Sequence, residues 1–257
     1  MSTRPKALVL EAPGINCNEE TAFAIEQAGG DAEQVHISQL RSGEKSIADY
    51  AILALSGGFS YGDSIRSGAI LGLELRTRFA DDLNAFVENE KPVIGICNGF
   101  QTLVESGLLP DGSITADKEK TASLIGNERG KFECRWVHLA AAKSACRFVV
   151  PSSSPLSLPV AHAEGRFVSP KKAIPQEQTV FTYTTDTDES PNYPSNPNGS
   201  PDDIAGITDP NGVILGMMPH PERFIHKNQH PNWRQKAYDR PFGAVLFEDL
   251  VKYAKDL

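Results

Sequence analysis

The stretch that most constrains this chain is Pro92-Val93-Ile94-Gly95-Ile96-Cys97-Asn98-Gly99-Phe100-Gln101-Thr102-Leu103. A short apolar run, Val93 to Ile96, ends at a cysteine, and a helical pattern starts at once. Phe100, Leu103, Val104 and Gly107 take the i, i+3, i+4, i+7 spacing of a helix buried on one face. Gly95 and Gly99 stand two residues either side of Cys97. Glycines there let a strand turn sharply into a helix and let the two elements cross closely, as in the nucleophile elbow of hydrolases. Such a turn lifts the apex side chain out of the packing and sets it at a helix N-terminus, where N–H groups and the dipole favour a thiolate. A lone cysteine is more often a small buried hydrophobe. Strand, glycines and helix in this order favour the nucleophile.

Around this stretch the chain alternates strand and helix. Strands are predicted at Ala7 to Leu10, Ala32 to Ile37, Ala51 to Leu55 and Pro92 to Ile96. Helices are predicted from Glu19 to about Ala28, with acids at the favourable end of the dipole, and from about Leu73 to Glu88. That rhythm predicts an α/β fold with a central, mostly parallel sheet flanked by helices, functional groups gathering at the carboxyl ends of the strands. Both the Gly57-Gly58 loop and the cysteine at 97 fall there. Near residue 110 the composition shifts and a β-rich portion begins, an insertion or change of topology rather than a linker. Its strands are predicted at Phe132 to Leu139, Leu158 to His162, Thr179 to Thr184, Ile204 to Thr208 and Val213 to Met217. The last two form a hairpin across Asp209-Pro210-Asn211-Gly212. Thr185 to Asp203 reads as a long surface loop, and a helix from about Phe242 to Ala254 closes the chain.

Length and charge narrow the function. At 257 residues, 40% hydrophobic and 23% charged, the chain can bury a full core, and length alone weighs one large domain and two equally; with no linker near residue 110, a single domain over residues 1–257 is expected. A net charge of −8 argues against nucleic acid or an anionic membrane as principal partner. No apolar run approaches the roughly 18 residues of a membrane span, and residues 1–6 are too short and polar for a signal peptide. Four cysteines without a CxxC pair suit a reducing, cytoplasmic setting. Neither a Gly-Lys-Ser/Thr loop nor a GxGxxG helix start is present, so no nucleotide cofactor is expected in this chain.

A cysteine nucleophile needs a base, and the base an orienting acid. His162-Ala163-Glu164 and His220-Pro221-Glu222 both fit, since residues i and i+2 of an extended segment point the same way. Pro221 keeps His220 out of the helical region, yet spacing alone leaves both pairs open. Gly57-Gly58 can offer a backbone N–H to an oxyanion, with the N–H of Asn98 as a second donor. Glu222, His226 and His230 are four apart, but Pro221 and Pro231 bracket them and no HExxH is present, so no metal is expected.

At this point Gly95-Ile96-Cys97-Asn98-Gly99-Phe100-Gln101 resembles the nucleophile motif of class I glutamine amidotransferases, whose fold is flavodoxin-like. More closely, the chain is similar to the glutaminases that serve phosphoribosylformylglycinamidine synthesis in purine production. The similarity extends over Pro13 to Cys17, Ser56 to Asp63 with Arg66 to Ala69, Phe132 to Val137, His162 to Phe167, Asn196 to Ser200 and Gly216 to Arg223, in order. Phe100, where other class I members commonly have His, suits this branch. The resemblance implies a triad of Cys97, His220 and Glu222, oxyanion donors at Gly58 and Asn98, and Gln101 as a contact to bound glutamine. It assigns no catalytic role to His162 and Glu164. It further implies that ammonia passes to a synthetase subunit, joined by a small accessory subunit, with ATP and Mg²⁺ held by the synthetase. The segments Thr185 to Asn196 and His226 to Tyr238 make the chain longer than compact glutaminases. Two other readings stand beside this one: a cysteine hydrolase of similar fold, of peptidase or deglycase type, and a non-catalytic docking subunit.

Overall fold

The computed structural model describes residues 4–115, 119–170, 173–185, 191–235 and 240–257. Its main feature is a nine-stranded sheet. The first half supplies β1 (Lys6–Glu11), β2 (Asp31–His36), β3 (Ile52–Leu55) and β4 (Val93–Ile96). The helices between them are α1 (Asn18–Gln27), α2 (Ile37–Ser42), α3 (Ala69–Arg78) and α4 (Ala80–Glu88), and α5 (Asn98–Ser106) follows β4. The second half supplies β5 (Ser123–Ile125), β6 (Glu133–Ala141), β7 (Leu156–His162), β8 (Arg166–Val168), β9 (Thr179–Thr184), β10 (Ile204–Thr208) and β11 (Ile214–Met217). Helix α6 (Phe242–Lys255) closes the chain.

The sheet order is β2-β1-β3-β4-β11-β10-β9-β6-β7, with β5 and β8 pairing apart. The pairs from β2 through β11 are parallel, and those from β11 to β7 are antiparallel. Every residue of β3, β4 and β11 is buried, as strands covered on both faces require. From β1 the chain steps one way to β2 and later the other way from β3 to β4. Right-handed crossovers therefore put α1 on one face and α3 and α4 on the other. The loops after β1 and β3 meet at this reversal, where Ile15 and Gly58 form an isolated bridge.

The shift near residue 110 is thus a change of topology within one sheet. The antiparallel half curls back until its edge strand β7 reaches the carboxyl end of β4: the carbonyl of Ala161 lies 3.5 Å from Cys97 Sγ. Four expectations are corrected. The helix expected over Leu73 to Glu88 is two helices, broken at Phe79 (φ −125°, ψ 16°), whose buried ring fixes the bend. Strand β2 stops at His36, whose Nδ1 accepts from Ser38 N and so starts α2 instead. Helix α5 is buried at every residue, not on one face. The sheet covers one side, and on another Phe100 stacks on Phe167 of β8, ring centroids 5.9 Å apart. Finally, the described part of the Thr185 to Asp203 stretch is a surface loop only in part: residues 192–194 and 201–202 are exposed, but the segment between them turns inward. Asn196, Asn198 and Ser200 are buried, with Asn198 donating to the Tyr183 hydroxyl at 3.0 Å and accepting from Ser200. Residues 186–190 of that stretch, and 236–238 of the His226 to Tyr238 segment, lie outside the described residues.

The close crossing expected of the glycines is present. A Cβ on Gly99 would stand 1.9 Å from the Leu55 carbonyl oxygen, and one on Gly95 would stand 2.4 Å from Leu103 Cδ1. Gly99→Ala should therefore cost about 3 kcal/mol or more, since backbone cannot move aside as a side chain can. Gly126→Ala, which meets open space, should stay within about 0.5 kcal/mol. Urea unfolding of both variants checks this; a mild Gly99→Ala would mean that the helix and sheet are not held so close.

Candidate active site

The elbow fixes Cys97 first. Its backbone has φ 51° and ψ −105°, a conformation a side chain other than glycine rarely adopts, costing on the order of 1–3 kcal/mol. The surrounding structure holds it there: Cys97 N donates to Met217 O at 2.8 Å, and Gln101 N closes the first turn of α5 on Cys97 O at 3.0 Å. The side chain is set at the helix N-terminus as expected, but it is not lifted into solvent. Cys97 is only 5% exposed, because β7 folds over it.

His220 arrives from the end of β11. It is extended (φ −103°, ψ 91°), as Pro221 demands, and its N–H donates to Pro159 O on β7 at 2.9 Å. Residues Pro221–Arg223 then make one 3₁₀ turn, braced by the start of α6, where a Cβ on Gly243 would meet the Pro221 carbonyl oxygen at 1.8 Å. It is this turn, not a continued extended segment, that brings Glu222 to the ring. Glu222 Oε1 lies 2.6 Å from His220 Nδ1, and both side chains are almost wholly buried. With Nδ1 engaged, Nε2 is the nitrogen left for Cys97, and it has no hydrogen-bond partner among the described residues. Burial pulls the imidazole pKa down, but the Glu222 carboxylate, Cys97 and Cys17 more than reverse it, and the pKa lies well above the usual histidine range.

The other pair is no dyad. Asn127 Nδ2 donates to the carbonyls of Lys131 (2.8 Å) and His162 (2.9 Å), so its Oδ1 is the acceptor. That oxygen receives Gly165 N–H at 2.9 Å and His162 Nδ1 at 3.1 Å, which assigns the His162 proton to Nδ1. Glu164 faces elsewhere, accepting from Ser67 N at 3.2 Å. Its carbonyl accepts from Gln101 Nε2 at 2.6 Å, while Gln101 Oε1 accepts from Asn98 Nδ2 at 2.9 Å. Asn98 Oδ1 in turn accepts from Ser60 N at 3.1 Å, tying the elbow to the loop after β3. In that loop Gly58 has φ 143°, and a Cβ there would lie 2.7 Å from Asn16 N. Only glycine fits. Asn98 opens α5, where an N–H has no acceptor within the helix.

One residue the sequence did not single out is also here. Cys17 Sγ, a nitrogen of His220 and an oxygen of Glu222 all lie within 4.8 Å of one another. This is also the nearest thing to a metal cluster among the described residues. Glu222 is already bonded to the ring, however, and Arg223 donates to Cys17 Sγ at 3.1 Å, which puts a positive charge where a cation would sit. The Glu222, His226 and His230 set does not converge. His226 meets the Phe23 ring edge-on, centroids 6.1 Å apart, and His230 packs on Trp136 and pairs with Ser157.

Burial, with the nearby charge of His220, pushes the His162 pKa down to about 3. Between the ordinary histidine pKa of about 6.5 and that value, the unfolded chain binds a proton that the native chain refuses. Stability from this group is therefore complete above about pH 6.5 and is lost at up to about 1.4 kcal/mol per pH unit on acidification. His162→Gln should narrow the gap between urea midpoints at pH 7 and pH 4; an unchanged gap would mean that native His162 takes up the proton.

Comparison with known proteins agrees with this geometry. A family model for the CobB/CobQ-like glutamine amidotransferase domain matches residues 4–254. The chain is 40% identical to the phosphoribosylformylglycinamidine synthase subunit PurQ of Dehalococcoides mccartyi, across 99% of this chain and 100% of that one. It is 42% identical to the same subunit of Treponema denticola, across 86% and 89%. Among solved structures, PurLQS from Thermotoga maritima matches with a TM-score of 0.74 at 30% identity, over 98% of this chain and 99% of that one. A Thermotoga maritima glutamine amidotransferase shares the fold, with a TM-score of 0.50 at 16% identity over 90% and 81% of the two chains. The chain belongs to the class I glutamine amidotransferases, in the family of PurQ subunits of phosphoribosylformylglycinamidine synthase.

Proposed function

We propose that this chain, as one glutaminase domain, hydrolyses glutamine to glutamate and ammonia and supplies the ammonia to a synthetase subunit. The synthetase uses it to convert formylglycinamide ribonucleotide to formylglycinamidine ribonucleotide. The observation that carries the reading is the buried His220–Glu222 pair, 2.6 Å apart, set at the elbow that strains Cys97. The end-to-end similarity to PurQ subunits supplies the substrate and the pathway.

In this reading His220 Nε2 takes the Cys97 proton, and the thiolate attacks the side-chain amide carbon of glutamine. The negative oxygen of the tetrahedral intermediate is received by the N–H groups of Gly58 and Asn98. His220 returns the proton to the leaving nitrogen, ammonia departs, and a γ-glutamyl thioester remains on Cys97. Water, deprotonated by His220, cleaves it to glutamate and free thiol. Glu222 holds the ring by Nδ1 and stabilises the imidazolium. Gln101, with its amide spanning Asn98 and the Glu164 carbonyl, positions the oxyanion loop and contacts the bound substrate. The chain needs no cofactor for these steps. ATP and Mg²⁺ belong to the synthetase, and the PurLQS structure, in which Q is joined with L and S, supports a synthetase partner and a small accessory subunit. The setting is the cytoplasm. Among the described residues, no helix is long and apolar enough to cross a membrane.

Cys97→Ser should abolish glutamine-dependent synthesis by the reconstituted complex while synthesis from added ammonium salt continues. Retained glutamine-dependent turnover would overturn the reading. Glu222→Gln keeps the shape but loses the charge, and should lower kcat for glutamate release by up to about 10⁴-fold, the loss seen when the orienting carboxylate of a serine-protease triad becomes an amide. A steady-state assay with near-normal kcat would remove Glu222 from the mechanism.

A further inference from the structure

Cys17 stands at the N-cap of α1, yet its side chain caps nothing. At that position Ser, Thr, Asn or Asp ordinarily turn an oxygen back onto the first N–H groups of the helix. Here the side chain turns to the site instead. The sulfur lies within 4.8 Å of both a His220 ring nitrogen and a Glu222 oxygen. It donates to Asn16 Oδ1 at 3.3 Å and accepts from Arg223 at 3.1 Å, and Arg223 is itself held by Glu20 at 3.0 Å. The Cys17 N–H donates to the Gly57 carbonyl at 3.2 Å. Gly57 presses on the same ring: a Cβ there would lie 2.8 Å from His220 Cε1 and 3.1 Å from Cys17 Sγ.

One hydrogen bond to Glu222 fixes Nδ1 but leaves the imidazole free to swing about that bond. Gly57 stands against the Cε1 edge with the Cys17 sulfur beside it, so a swing of the ring toward that side meets both. Building on the proposed roles of Cys97, His220 and Glu222, we infer that Cys17 is a positioning residue. Its thiol locks the His220 ring in the orientation that serves Cys97, and through Gly57 it couples the ring to the loop bearing the Gly58 donor. Burial raises the Cys17 pKa, so the group stays a thiol, with its proton given to Asn16 and a lone pair to Arg223. That state suits a spacer and not a second nucleophile. The titratable and charged groups facing the ring are Glu222, Cys97 and Cys17, with His162 and Arg223 further out.

The test uses the complex with its synthetase partner and the variants Cys17→Ala and Cys17→Ser. Glutamate release is measured across pH, and active sites are counted with a diazo-ketone glutamine analogue so that misfolded protein is not scored. A ring misplaced by about 1 Å can cost about 10²-fold. For Cys17→Ala, kcat per labelled site should fall about 10- to 100-fold, with KM for glutamine within about 2-fold. The alkaline limb should move to lower pH, because a group that favours the imidazolium is gone. Cys17→Ser, which can make the same polar contacts, should recover much of the rate. Synthesis from ammonium salt should be unchanged in both. Wild-type kcat and pH profile per site in Cys17→Ala would overturn the inference, and so would a loss explained wholly by fewer labelled sites. Labelling lost in Cys17→Ala but kept in Cys97→Ser would instead overturn the assignment of the nucleophile, a separate outcome.

Discussion

The whole site depends on how closely α5 approaches the sheet. With less than 2 Å between a would-be Gly99 Cβ and the Leu55 carbonyl, the helix can start only if the residue before it turns through a left-handed conformation. That residue is Cys97. The same approach sets Asn98 against the loop after β3, so the candidate nucleophile Cys97 and the candidate donor Asn98 are held beside the loop that carries Gly58. The strain at Cys97, on the order of 1–3 kcal/mol, is offset by burying α5 on every side.

The second half of the chain brings in the candidate base by extending the sheet beside β4 with β11, and then curls back over the site. Strand β7 is at the far edge of the sheet order, yet its backbone touches both catalytic candidates. Pro159 O accepts from His220 N, and Ala161 O lies at Cys97 Sγ. The lid this makes keeps water from the His220–Glu222 pair. Removing water makes an ion pair costly to bury, but it also makes each partner strongly dependent on the other. A proton placed on His220 is therefore well held, in keeping with the raised imidazole pKa. The neighbouring His162 cannot compete, because burial and the His220 charge keep it neutral.

Much of this could be read from residue order. Glycines flanking a cysteine between an apolar run and a helical pattern announce the elbow, and Pro221 announces an extended His220. The parallel half follows from alternating strand and helix, and the Asp209–Gly212 turn announces its hairpin. What escaped was what depends on residues far apart in the chain. That His162 pairs with Asn127 and not with Glu164 depends on a residue 35 positions away, which has no motif of its own. The burial of α5 on all sides depends on Phe167, and the polar interior of residues 196–200 depends on Tyr183. Cys17 carried one faint sign, a cysteine where a helix N-cap ordinarily has a hydroxyl or amide. The break at Phe79 left none, since helical periodicity runs through it.

The central claim is that Cys97, and not the second cysteine beside His220, carries the acyl group. Rapid acid quenching of the complex during glutamine turnover, followed by proteolysis and mass spectrometry, tests it directly. The account predicts a γ-glutamyl thioester on the peptide containing Cys97, with Cys17, Cys134 and Cys146 unmodified. An adduct on Cys17 would contradict it.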